Sequence, residues 1–250
     1  MIKKILTIII SMFMFSSVYA KTERDFWNCI SDKNKEYKKF DNINNFIQNT
    51  NDINITNKNG NTILHLTVYC AGNKNHIDIL YKNGININLL DKHGNSALYT
   101  AIMLNDISLI SKLIDVGSDV NILTNSKVDA LRLSAIYSTN IEIFNRILNK
   151  SNRKINDRLK LDNLFPLYAA ALKNKNPDFI KGLIKNGADA NMRSYSKLTG
   201  LPISIKPIHA AKNNKYLKDT QAINILEEKT NINYYDKLLE IIYNDKTIIK

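Results

Sequence analysis

Asn59-Gly60-Asn61-Thr62-Ile63-Leu64-His65 is matched 34 residues later by His93-Gly94-Asn95-Ser96-Ala97-Leu98-Tyr99. The segments downstream match as well. Lys82-Asn83-Gly84-Ile85-Asn86-Ile87-Asn88 returns as Asp115-Val116-Gly117-Ser118-Asp119-Val120-Asn121 and again as Lys185-Asn186-Gly187-Ala188-Asp189-Ala190-Asn191, with 33 residues from Gly84 to Gly117. Two separate motifs recurring in phase, at a period between 20 and 50 residues, specify a repeat array.

Between the motifs the apolar residues fall at helical spacing: Ile107, Ile110, Leu113 and Ile114, then Ile143, Phe144, Ile147 and Leu148. Helices this short are unstable alone, so neighbouring units must stack to bury these faces. Gly84 and Gly117 stand where such helices end, in the place of a left-handed C′ residue. Thr62 and Ser96 stand just before helical segments and are predicted to cap them.

With these residues in place, the chain resembles the ankyrin-repeat family, whose pattern runs D-x-x-G-x-T-P-L-H-x-A, two short helices, then G-A-D-x-N. Asp91, Gly94, Ser96, Leu98 and Ala101 fall on that pattern, as do Gly60, Thr62, Leu64 and His65 one unit earlier. The resemblance implies an all-α ankyrin-repeat solenoid of helix-turn-helix units with short hairpin loops. Units are expected near 57–90, 91–123, 124–159, 160–198 and 199–230. The fourth rests on Phe165-Pro166-Leu167-Tyr168-Ala169-Ala170 and the fifth on Lys206-Pro207-Ile208-His209-Ala210-Ala211. Lys127 and Arg132 depart from the expected Gly and His, and the loop 192–206 is too long for a regular hairpin. Residues 21–56 are read as an N-terminal cap with a degenerate repeat, because Asp52-Ile53-Asn54 lies 34 residues before Asn86-Ile87-Asn88. Phe26, Trp27, Ile30, Tyr37 and Phe40 are expected to cover the first repeat. At the other end Tyr235, Leu238, Leu239 and Ile242 mark a capping helix within 231–250.

The first twenty residues read as an export signal. Lys3 and Lys4 form a basic start, residues 5–15 are nearly all apolar, and small residues at Val18 and Ala20 suit a cut after Ala20. The apolar run is short for a membrane span. The mature chain is therefore expected in the periplasm or outside the cell, with no membrane insertion after cleavage. Lys and Arg outnumber Asp and Glu by 35 to 23, for a net charge of +12, or +10 without Lys3 and Lys4. The cations are scattered through Asn- and Ile-rich sequence and form no basic arm, so nucleic acid is not expected as a partner.

Export leaves the state of Cys29 and Cys70 open, since an oxidising compartment would allow them to pair. If residues 22–54 keep the repeat register, Cys29 lies early in one first helix and Cys70 late in the next. These helices run parallel, which places the two Cα atoms beyond the roughly 7 Å that a disulfide spans. Pairing then requires the first cap to shift.

Catalytic signatures are missing from the sequence: no G-x-S-x-G elbow, no Gly-rich phosphate loop and no C-x-x-C or H-x-x-x-H spacing. No enzyme activity, cofactor or metal is expected. The resemblance makes His65 and His209 structural, while His76 and His93 are expected to be more exposed. Asp91, Asp119 and Asp189 recur at repeat spacing and read as turn or capping residues.

What remains is the surface. Members of the resembled family bind through hairpin tips and the exposed face of each first helix. By register the tips are Lys58, Asn59 and Asn61, then Lys92, His93 and Asn95, then Asn125, Ser126 and Val128. The helix positions are Tyr69, Met103, Leu104 and Tyr137. Amides with a few large apolar side chains suit protein recognition. The expectation is a monomeric, exported module that binds a protein partner, neutralising or supporting it in the periplasm. The alternative is a virulence effector delivered to a host cell.

Overall fold

The computed structural model describes residues 28–32, 42–158, 164–196, 203–233 and 236–237. The expected leader 1–20 lies outside them. So do the cap residues Phe26, Trp27, Tyr37 and Phe40, and the C-terminal residues Tyr235, Leu238, Leu239 and Ile242. The chain divides into two compact units, residues 1–86 and 87–250.

In the first unit, residues 28–32 are helical, followed by α1 (Ile43–Asn49), α2 (Ile63–Tyr69) and α3 (Lys74–Lys82). Each helix starts where a short polar side chain can take an orphan backbone amide. Asn42 caps α1 by accepting from the Asn45 amide at 2.9 Å. Thr62 and His65 close a capping box on α2, the His65 ring accepting the Thr62 amide at 3.2 Å. Asn73 and His76 do the same on α3, at 3.2 Å each way. His76, expected to be exposed, is therefore buried: as third residue of the helix, its ring folds back onto the cap. Ile30, Ile43, Phe46, Leu64, Leu66, Ile77 and Leu80 form the buried core of this unit.

Cys29 and Cys70 are joined by a disulfide, with Cα atoms 5.8 Å apart. This corrects the distance expected from the repeat register. Residues 28–32 lie against the C-terminal end of α2, where Cys70 is the cap residue, so the N-terminal segment does not repeat the register of the later units.

The second unit has two layers. First helices α4 (Ala97–Leu104), α6 (Ala130–Tyr137), α8 (Pro166–Lys173) and α10 (Pro207–Asn213) pack in succession. Second helices α5 (Ile107–Asp115), α7 (Ile141–Lys150), α9 (Pro177–Lys185) and α11 (Gln221–Lys229) form the other layer, each against its own first helix and its neighbours in the layer. A helix held between two others must be apolar nearly all round, and Ala97 to Ile102 are all buried. The outer helices bury one stripe only: Leu109, Ile110, Leu113 and Ile114 in α5, and Ile143, Phe144 and Ile147 in α7. Ile107 is exposed at the start of α5, and Leu148 is half-buried. Phe144 meets Phe179 edge to face, with ring centres 5.8 Å apart, joining α7 to α9. Ser96 occupies the cap position of α4 but makes no cap hydrogen bond.

Asparagine side chains link successive repeats. The Asn88 carboxamide oxygen accepts the Asp119 amide at 2.9 Å, Asn121 that of Asn152 at 2.8 Å, Asn156 that of Asp189 at 2.9 Å, and Asn191 that of Asn231 at 2.8 Å. Within the first unit Asn54 accepts from Asn86 in the same way, at 2.8 Å.

The loop expected to be too long for a regular hairpin contains the two strands of the described structure, β1 (Ser194–Ser196) and β2 (Ile203–Ile205). They pair antiparallel, with Ser194 opposite Ile205. The base of this hairpin is fixed by a buried ion cluster. Asp236 receives Lys206 Nζ at 2.9 Å and Arg193 Nη2 at 2.8 Å, and Lys206 Nζ also donates to the Asn231 carbonyl. Asn233 and Asp236 cap each other at 3.0 and 3.1 Å, where the expected C-terminal helix begins.

Candidate functional site

The tips are built by short polar side chains that hold backbone amides in tight turns. The Asp91 carboxylate accepts the amides of His93 at 2.8 Å and Asn95 at 2.9 Å, and the Asn95 side chain at 3.2 Å. Asp119 and Asp189 hold Asn121 and Asn191 in the same way. These acids work as turn formers. In the third repeat, Thr124 takes the Asp role, accepting the Val128 amide at 3.1 Å, and Lys127 adopts φ +58° where a glycine would be usual.

Adjacent tips of the second unit are bonded together. Asn125 donates its amide to the His93 carbonyl at 3.1 Å and its side chain to the Lys92 carbonyl at 2.9 Å. That approach is possible because residue 94 is glycine: φ is +77°, and a Cβ there would lie 2.7 Å from the Asn125 backbone nitrogen. Lys92, His93, Asn125 and Ser126 are exposed, while Asn95 and Val128 are half-buried. In the first unit Lys58 and Asn59 are exposed at the tip. Asn61 is 9% exposed, because it immediately precedes the cap of α2 and turns inward. It is a framework residue.

The expected helix positions are all exposed: Tyr69 in the first unit, and Met103, Leu104 and Tyr137 in the second, with Leu104 at 48% and Tyr137 at 46%. In the second unit the same edge carries two residues that the sequence reading missed, Leu172 and Tyr216. Leu172 has the place in α8 that Met103 has in α4, so the repeat register itself could have found it. Tyr216 lies in the turn after α10, with Lys175 Nζ 5.4 Å and Lys215 Nζ 4.9 Å from its ring centre.

The turns that carry this edge are tied side by side. Asn105 and Thr139 exchange hydrogen bonds at 2.9 and 3.1 Å, and Asn176 donates to the Thr139 carbonyl at 2.8 Å. Below them, buried Asn174 donates to the carbonyls of Ala135 at 2.8 Å and Ser138 at 2.9 Å. Asn214 donates to Ala171 at 3.1 Å and Asn174 at 2.8 Å. Because these turns are already ordered, a partner that covers the edge need not bear the cost of ordering its backbone.

The strongly perturbed groups serve the framework. Burial first, and the Asp129 carboxylate second, push the Tyr99 phenol well above its ordinary value; it stays neutral and donates to the Ile122 carbonyl. Asp129 caps α6 through the Arg132 amide at 2.8 Å and pairs with Arg153 at 2.6 Å. Burial alone would raise the Asp236 carboxyl, but the Lys206 hydrogen bond, the Asn233 amide and the charges of Arg193 and Lys206 outweigh it and hold the carboxyl below the usual range. His209, the third residue of α10, is buried and its ring accepts the Lys206 amide at 3.2 Å, whereas His93 is exposed. Among the described residues, no group of three or more His, Cys, Asp or Glu is placed to hold a metal ion. No helix among them is long and apolar enough to cross a membrane.

Stacked helix pairs, a period of 33 to 34 residues and bonded hairpin tips define a repeat protein of the protein-binding kind. A model of ankyrin repeats in three copies matches residues 34–124, and the chain has the ankyrin-repeat fold over its described residues. It is 30% identical over 123 residues to the ankyrin repeat protein FPV222 of fowlpox virus (strain NVSL), a match covering 49% of this chain and 16% of that protein. Ankyrin repeat protein 14 of vaccinia virus (strain Western Reserve) is 39% identical over 62 residues, 25% of this chain and 26% of that one. The chain thus spans about a quarter or less of the length of these relatives.

Among solved structures, the chain is similar to a chain from the complex of the predatory endopeptidase Bd0816 of Bdellovibrio bacteriovorus with immunity protein Bd3460. The TM-score is 0.61 and the identity 22%, over 86% of this chain and 99% of that one. The human ASB11 ankyrin repeat domain gives 0.60 and 18%, over 82% of each chain. Both likenesses are of fold.

Proposed function

We propose that this protein is an exported, non-catalytic binding module that docks one protein partner and neutralises or supports it in the periplasm. The observation that carries the reading is the exposed edge of Met103, Leu104, Tyr137, Leu172 and Tyr216, held on hydrogen-bonded turns at the C-terminal ends of the first helices, with the bonded tips of Lys92, His93, Asn125 and Ser126 before the N-terminal ends of α4 and α6. Apolar anchors beside adaptable polar groups are what a protein interface uses. The strongly perturbed groups, Tyr99 and Asp236, are occupied in framework contacts, which leaves the surface as the working part. The fold shared with a chain of an endopeptidase–immunity complex supports a neutralising role, and the leader-like residues 1–20 support export.

Affinity capture with residues 21–250 from a periplasmic extract tests the reading. A stoichiometric protein partner is expected, and its capture should fail with a Tyr137→Ala, Leu172→Ala, Tyr216→Ala variant that keeps its thermal stability. A partner captured equally by that variant would refute the edge as the contact surface. The relatives among viral ankyrin proteins favour a second reading, delivery into a host cell; fractionation during infection separates the two.

A further inference from the structure

One covalent bond crosses the first unit. Its described helices α1 and α2 have seven residues each and α3 nine, lengths that do not persist in water without packing. The turn that follows α2 holds Ala71 at φ +53°, a left-handed conformation that is unfavourable for a residue with a Cβ. At that turn Cys70 is fully buried and bonded to half-buried Cys29, while Ile30 next to Cys29 is fully buried as well. The bond closes a loop of 41 residues that contains α1, the whole of α2 and the tip with Lys58 and Asn59. The second unit has no cysteine.

We propose that the Cys29–Cys70 disulfide is an oxidation-dependent folding lock on the first unit: newly made chain keeps this unit loosely folded, and it closes only once the two thiols are oxidised. The reaction is thiol–disulfide exchange. The Cys29 thiolate attacks a donor disulfide and expels one donor thiolate; the Cys70 thiolate then attacks the mixed disulfide and expels the second. The two cysteines lose two protons and two electrons, and the donor is reduced to two thiols. Closing a loop of this length reduces the open population by about a hundred- to a thousandfold, which acts on the first unit alone. A chain that must cross a membrane unfolded would gain by this order of events, and Tyr69, adjoining Cys70, would be fixed for contact only afterwards.

The test uses the full chain, oxidised and after reduction with a phosphine, followed by hydrogen exchange of the backbone amides. Reduction should speed exchange in α2 by about a hundred- to a thousandfold and leave α6 and α8 within a few-fold. Unchanged exchange in α2 would overturn the proposal, and so would an equal acceleration in both units. Because a Cys70 variant leaves a cavity in the core, Cys29→Ser is the second measurement: it should match the reduced chain without reductant. Alkylation of the two cysteines in intact cells is read separately. A reduced cellular pool together with the expected exchange pattern would sink export and leave the lock standing.

Discussion

Replacing Asn174 by Ala tests whether the buried carboxamides hold the stack together. The side chain is 1% exposed and makes three hydrogen bonds: two from Nδ2, to Ala135 at 2.8 Å and Ser138 at 2.9 Å, and one accepted by Oδ1 from the Asn176 amide at 2.8 Å. Alanine leaves two carbonyls and one amide without these partners in a space that excludes water. At about 1 kcal/mol for each bond, the loss is about 3 kcal/mol. For a unit of this size that corresponds to a fall in Tm of roughly 6 to 12 °C, read by differential scanning fluorimetry and checked by urea unfolding. Asn174→Asp is a sharper variant, because it keeps the volume and the bond to Asn176 but turns two donated hydrogens into an oxygen facing two carbonyls. Burial and those carbonyls would raise the folded-state pKa of that carboxyl above its unfolded value. Its penalty is therefore fully present above the folded pKa and disappears as pH falls below the unfolded one, so the Asp variant should regain stability on acidification while the Ala variant does not. A Tm within 1 °C of wild type for Asn174→Ala, or no pH dependence in the difference between Asp and Ala, would refute the reasoning.

Other positions give simpler outcomes. Asp236→Ala removes the counter-charge of buried Lys206 and should cost about 3 to 5 kcal/mol, measured by chemical denaturation. In the wild type the folded pKa of Asp236 is depressed, so its contribution is complete above the unfolded pKa and is lost as pH falls through the folded one; the acid limb of the stability curve should flatten in the variant. Gly94→Ala combines a left-handed φ with a contact of 2.7 Å to the Asn125 backbone and should lower stability by about 2 kcal/mol. Ala71→Gly relieves a left-handed alanine and should raise the protection of the first unit by about 0.5 to 1 kcal/mol in hydrogen exchange. Tyr137→Ala should leave Tm within about 2 °C but weaken partner binding at least about tenfold by calorimetry, whereas a variant at inward-facing Asn61 should alter stability instead.

Several features were legible before any coordinates because they are local or periodic. The phase of the two motifs placed the turns, and the spacing of Ile110, Leu113 and Ile114 placed a helix with its buried stripe. Exposure at Met103, Leu104 and Tyr137 followed from the register. What escaped reading depends on neighbours distant in sequence. An asparagine at 174 looks like any other in an Asn-rich chain until its partners, 36 and 39 residues earlier, are in place. Ser96 resembles a cap by position yet makes no cap bond, while His76, expected to be exposed, is a cap through its ring. The Cys29–Cys70 distance of 5.8 Å departs from the register for a specific reason: residues 28–32 lie beside the end of α2 instead of repeating it.

The chemistry of this chain is thus divided by depth. Strongly shifted or ion-paired groups such as Tyr99, Asp129 and Asp236 each stand where the repeat pattern is broken: at the motif histidine, at the motif threonine before α6, and beneath the enlarged hairpin. Each break places a polar group in the interior, and each is answered by a partner: the Ile122 carbonyl and Arg153 from within the same repeat, and Lys206 with Arg193 for Asp236 of the C-terminal segment. Such pairings contribute little net stability but penalise alternative registers, in which a buried charge would be left alone. In a stack whose helices are all short and alike, slippage by one repeat is the nearest competing structure. Of the three, only the Asp236 cluster joins different repeats and so bears on their order; the Tyr99 and Asp129 contacts fix the register of parts within one repeat. Restoring the consensus at one of them, Asp129→Thr, removes the acid partner of Arg153 and should broaden the unfolding transition of the second unit, even if its midpoint moves by less than a few degrees. A transition as sharp as that of wild type would argue against a role in register.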